Sequence, residues 1–233
     1  VIYSTGWIGT SAHELGHALM CLVFGHRITK LSLFRPDFDS GVMGSVNHSY
    51  NAKNLYQLVG NFFIGVAPLI TGSALLVGAV LLLFPDYRNV LAANIEIQPE
   101  NGYEVADFLD NLWSPVAETF GVVFDPGNFT TWEFWVFLYV AISISSHLAP
   151  SGKDMRGAWS GLGAALIPVL AVNGIAVAAG WDFLTELVGL FRFLGATAGF
   201  FAVAVFFSSL GYLMSYLVSA IWYWRKYQTV LTP

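Results

Sequence analysis

The sequence predicts an all-α polytopic membrane protein, with about five transmembrane helices and a small β-hairpin at the membrane surface after the first. Three observations predict it. Of 233 residues, 56% are hydrophobic and only 11% are charged, whereas an ordinary soluble domain carries about 25% charged residues. The apolar residues gather into five stretches, near residues 2–24, 55–84, 132–149, 159–179 and 187–224, each near or above the ~20 residues that cross a hydrocarbon core about 30 Å thick. Between the first two stretches lie β-favouring runs, 28–34 and 42–46, separated by Pro36, Asp37, Asp39 and Gly41, which reads as a hairpin.

The remaining elements are set by charge and periodicity. The second and fifth stretches exceed the minimum crossing length, so each tilts, extends into water or kinks, with Pro68 and Gly72 as kink candidates. Arg27, Lys30, Arg35, Lys53, Lys153, Arg156, Arg225 and Lys226 all fall after odd-numbered spans. Basic residues favour the cytoplasmic side, so the amino terminus is expected outside and the carboxyl terminus in the cytoplasm. The other side holds Arg88 and Arg192, and the loop from Pro85 to Glu133 collects nine acidic residues. Within that loop, residues 105–124 space their apolar side chains as an interfacial helix would. The whole reads as one integral-membrane domain, 1–233, with a core at about 1–180, an outer loop at 85–131 and an additional transmembrane helix at 187–224.

Some function classes are excluded early. The net charge is −5 with no basic run, which gives no reason to expect a nucleic-acid partner. The single cysteine, Cys21, rules out an intrachain disulfide and reads as a packed thiol among apolar neighbours.

The chemistry concentrates in the first span. His13, Glu14, Leu15, Gly16 and His17 spell H-E-x-x-H. Four helical residues advance about 400°, so both imidazoles project from nearly one face and can share a tetrahedral ion. Glu14 lies beside them, placed to take a proton from water without being a ligand. Ionisable groups in a lipid-embedded helix are costly and default to function. A catalytic zinc ion usually takes three protein ligands. The third is expected at the same depth, from Asp154 after the third span, with His147 at the end of that span as the chemically acceptable alternative. His26 and His48 read as surface groups near the hairpin, with His48 approaching the site only if that segment folds inward.

Residues 11–19, from Ser11 through the two histidines to Leu19, followed by the β-favouring 28–34, resemble the site-2 protease family of intramembrane zinc metalloproteases. Residues 61–69 are similar to the segment that opens that family's next core helix, and 150–157, with Pro150, Asp154 and Gly157, are a looser match in which Met155 and Arg156 intervene before the glycine. The resemblance implies Zn2+ held by His13, His17 and Asp154, with Glu14 as general base. It also implies a multi-pass protein of a bacterial-type cell membrane that cuts a transmembrane or membrane-anchored protein substrate. A metal-binding transporter and a catalytically silent membrane scaffold are the other two readings of the same residues.

Overall fold

The computed structural model describes residues 2–37, 39, 41–87, 117–180, 205–207 and 209–226. The chain is mostly helical. Helix α1 is Ile2–Val23, α2 is Leu55–Leu83, α3 is Trp132–Ser145 and α4 is Gly152–Ala178. A last helix, α5, covers Val205–Lys226. Strands β1, Arg27–Ser32, and β2, Ser45–Ser49, form a two-stranded antiparallel sheet between α1 and α2.

Among the described residues, three helices are long and apolar enough to cross a membrane: α2, α4 and α5. The expected count of five is therefore not reproduced. Helix α1 has 22 residues but carries the His–Glu–His motif with several hydroxyl side chains, and it is not among the three. Helix α3 has 14 residues, about 21 Å at 1.5 Å per residue, which is short of the bilayer core. The fourth expected span begins earlier than residue 159, because Ser151 caps α4 and starts it at Gly152. Of the expected fifth span, 205–207 and 209–224 are described and helical. Most of the interfacial helix expected at 105–124 lies outside the described residues, although 117–123 is helical.

The hairpin is present, with its second strand shifted. Turn hydrogen bonds from the Arg35 amide to the Met43 carbonyl and from the Asp37 amide to the Val42 carbonyl draw Val42 and Met43 into the connection. The ladder proper starts where Ser32 meets Ser45. A register irregularity between Ile28 and Lys30 then brings His48 opposite Ile28.

Packing along α2 differs between its two halves. Aromatic and aliphatic side chains of α2, α3 and α5, including Leu76, Val80, Phe84, Phe137 and Phe207, build the core at its carboxyl end. The amino-terminal half instead packs closely against α1 and α4. A Cβ at Gly16 would collide with Thr71, one at Gly65 with the Asp154 carbonyl, and one at Gly161 with the backbone of Phe62. Small residues let helix backbones approach in this way. The approach lays the first turn of α4 against Gly65, one helical turn before Pro68.

Gly161→Ala should therefore destabilise the fold by about 1–3 kcal/mol, the usual cost of overpacking, because backbone rather than a mobile side chain obstructs the methyl group. Gly78, whose Cβ would meet open space, is the control. A lower thermal unfolding midpoint in detergent for Gly161→Ala, and none for Gly78→Ala, is the expected result; equal midpoints would refute this account of the α2–α4 contact.

Candidate metal centre

Helix α1 presents His13 and His17 one turn apart, with their Nε2 atoms 3.1 Å from each other. Asp154, from the first turn of α4, meets them: its Oδ1 lies 3.5 Å from His17 Nε2 and its Oδ2 lies 3.8 Å from His13 Nε2. His17 is buried, and His13 and Asp154 are partly buried. These three residues form a group able to hold a metal ion.

The outer nitrogens define the chemistry of the inner ones. His13 Nδ1 lies 2.7 Å from the His147 carbonyl oxygen, and His17 Nδ1 lies 2.7 Å from the Ile64 carbonyl oxygen. A carbonyl only accepts, so each Nδ1 donates its hydrogen and each neutral imidazole carries a bare lone pair at Nε2. With both rings neutral, two lone pairs and a carboxylate face one another, an arrangement that a metal ion, or a proton on one imidazole, relieves. The separations agree with this: ligands about 2.0–2.1 Å from a tetrahedral ion stand about 3.3–3.4 Å apart, and the observed 3.1, 3.5 and 3.8 Å bracket that edge. The donor set and its spacing fit a zinc-type ion.

Both carbonyls are free for a local reason. The Ile64 oxygen would normally accept from the amide four residues on, but that residue is Pro68, inside α2, and proline has no N–H. His147 lies just beyond the end of α3 at Ser145, where terminal carbonyls lack intrahelical partners. Asp154 is likewise held. Its Oδ2 accepts from the Ser151 amide at 2.7 Å, while Ser151 Oγ accepts from the Asp154 amide at 3.3 Å. This reciprocal cap fixes the carboxylate at the start of the helix.

Glu14 is 8% exposed and is not in the ligand group. Its carboxylate faces the Val46 backbone N–H of β2, and Gly44 lies against its Cγ. Glu14, His13, His17, Asp154, Asn61 and residues 44–48 line one cavity of about 800 Å³, with Ser151, Lys153 and Arg156 around it.

The four site residues expected from the sequence thus come together. The alternative ligand does not join them: His147 contributes its carbonyl oxygen, while its ring packs against Gly6 and Gly9 of α1 and contacts the Ser143 carbonyl. Asp154 lies in the first turn of α4, as the third helical residue of a capping box opened by Ser151. One other reading changes. His26 is buried at 4% exposure, not a surface group, and it pairs with His48, which folds inward to the cavity wall. Asn61 has a buried amide nitrogen without a hydrogen-bond partner at the same wall; its sequence signal is a polar residue within an apolar span.

No family model matches the chain, and neither a curated protein nor a solved structure matches it.

Asp154→Ala should weaken metal binding well beyond the 10- to 100-fold typical of losing an outer partner, since it removes a ligand. Pro68→Ala should weaken it only about tenfold, because it restores an amide that competes for the Ile64 carbonyl without removing any ligand. Competition with a chromophoric chelator measures both. Equal affinities for wild type and Asp154→Ala would dismiss Asp154 as a ligand.

Proposed function

We propose that this chain is an integral-membrane zinc metalloprotease that hydrolyses peptide bonds of transmembrane or membrane-anchored protein segments. One observation carries the reading: two imidazoles, each held at Nδ1 by a backbone carbonyl and with Nε2 atoms 3.1 Å apart, converge on Asp154 beside a buried carboxylate, Glu14, that lies outside this group. The three apolar helices capable of crossing a membrane support the lipid setting, with the amino terminus outside and the carboxyl terminus cytoplasmic as the basic residues suggest.

When bound, zinc supplies a Lewis acid that polarises a carbonyl and lowers the pKa of water to about 7. The chain's own residues do the rest. His13, His17 and Asp154 would hold the ion, and three protein ligands would leave room for water. Glu14 takes the proton of the attacking water and hands it to the departing amine nitrogen. The Val46 amide and the neighbouring Gly44 hold Glu14 in place for that transfer. Lys153, Arg156, Ser151 and Asn47 make part of the cavity wall polar, which admits water to a site between apolar helices.

A helical substrate hides its amides in internal hydrogen bonds and must be extended before attack. Strand β2 borders the cavity and, among the described residues, pairs only with β1. Its other edge offers backbone groups to an extended segment, by the strand addition used in many peptide complexes. The edge facing the site belongs to β2, whose residues Ser45, Val46, Asn47 and His48 line the cavity.

Glu14→Gln separates this reading from a transporter or a scaffold. Purified protein is reconstituted in liposomes with a panel of labelled single-span helices, and products are read by mass. The variant should retain its zinc and lose cleavage by about 10²–10⁴-fold. Unchanged turnover by Glu14→Gln, or no turnover by zinc-loaded wild type on any helix of the panel, would discard the protease reading.

A further inference from the structure

A second group of soft and borderline ligands sits at the far end of α1. The helix closes with a left-handed glycine: Gly25 has φ of 67°, the His26 amide donates to the Cys21 carbonyl at 2.8 Å, and the Gly25 amide donates to the Leu22 carbonyl at 3.2 Å. This paired closure folds the chain back over the last helical turn. It sets His26 beside Cys21. The hairpin then returns His48 to the same place, with its Nδ1 3.0 Å from His26 Nδ1. Cys21 is fully buried and His26 is 4% exposed, and ligand atoms of all three lie within 4.8 Å of one another.

The ring orientation is again imposed from outside. His26 Nε2 donates to the Gln57 carbonyl at 2.8 Å, which leaves Nδ1 of neutral His26 as a lone pair turned toward His48. Tyr50 stacks on His26, with ring centroids 5.0 Å apart and planes 17° apart, and so limits rotation of the ring. A thiol, which would give up its proton on binding the ion, and two imidazoles are a donor set that zinc favours, and contraction onto edges of about 3.3–3.6 Å would fill three of four tetrahedral positions.

We propose that Cys21, His26 and His48 form a second, structural metal site for a zinc-type thiophilic ion, separate from the site of His13, His17 and Asp154. It ties the end of α1 to β2, the strand whose Val46 amide faces Glu14. The ion therefore anchors the hairpin over the first site without entering its chemistry. This inference does not depend on the protease reading.

Cobalt(II) distinguishes the two sites, because only this one contains sulfur. The purified full chain is stripped with chelator and titrated with Co2+, following stoichiometry and the near-ultraviolet thiolate-to-cobalt charge-transfer band. Wild type should bind two ions and show the band. Cys21→Ser should lose the band and one of the two ions, and His48→Gln should lose the same ion. The double variant His13→Ala/His17→Ala should keep the band and lose the other ion. A single ion with the band retained in that double variant would uphold this site even if the first fails. A wild-type chain without the band means that the two imidazoles simply hydrogen-bond each other, and overturns the proposal, as does a band unchanged by Cys21→Ser.

Discussion

The architecture around the first site depends on two backbone carbonyls that have no helical partner. An imidazole on a helix surface is free to rotate, and in either tautomer it satisfies itself with water. Here the Ile64 oxygen, released by Pro68, and the His147 oxygen, released by the end of α3, each take an Nδ1 hydrogen at 2.7 Å. That choice turns both Nε2 lone pairs inward. Facing two lone pairs and a carboxylate at one point is costly unless a cation sits among them, so the same hydrogen bonds that orient the imidazoles also make the group one that could hold a metal ion.

Close helix packing makes those bonds reachable. Gly16 lies between the two histidines in sequence and against Thr71 of α2 in space, which brings α1 within hydrogen-bond reach of the Ile64 carbonyl. Gly65 and Gly161 bring α4 equally close to α2, so the capped carboxylate of Asp154 arrives at the same depth. Toward the other end of α2, Leu76, Val80, Phe84 and Phe137 form the apolar core. One helix therefore carries two tasks: its carboxyl-terminal half packs large apolar side chains together, while its amino-terminal half gives close backbone approach and polar geometry.

How far the sequence could be read depended on how local each signal was. The pairing of His13 with His17 was legible because α-helical geometry alone aligns positions four apart. A membrane setting was legible from composition, since three long apolar helices arise from the residues themselves. The start of β2 was misplaced because turn hydrogen bonds around Asp37 claim Val42 and Met43, a competition that alternation of residue types does not reveal. The third expected span contracted to α3 because its last residues adopt turns after Ser145 rather than helix.

From its own residues the chain determined a helical, apolar protein with a metal-binding motif on its first helix, and a short list of partners for that motif. Tertiary structure decided among those partners. It set Asp154 in a helix cap facing the histidines, turned the His147 ring away while using its carbonyl, and buried His26 against His48 and Cys21. The physical reason is distance along the chain: His13 meets His147 across 134 positions and His17 meets Ile64 across 47. Propensity and periodicity act over a turn or two of backbone, whereas these contacts exist only once helices have packed closely enough for a side chain to reach another segment's unpaired oxygen.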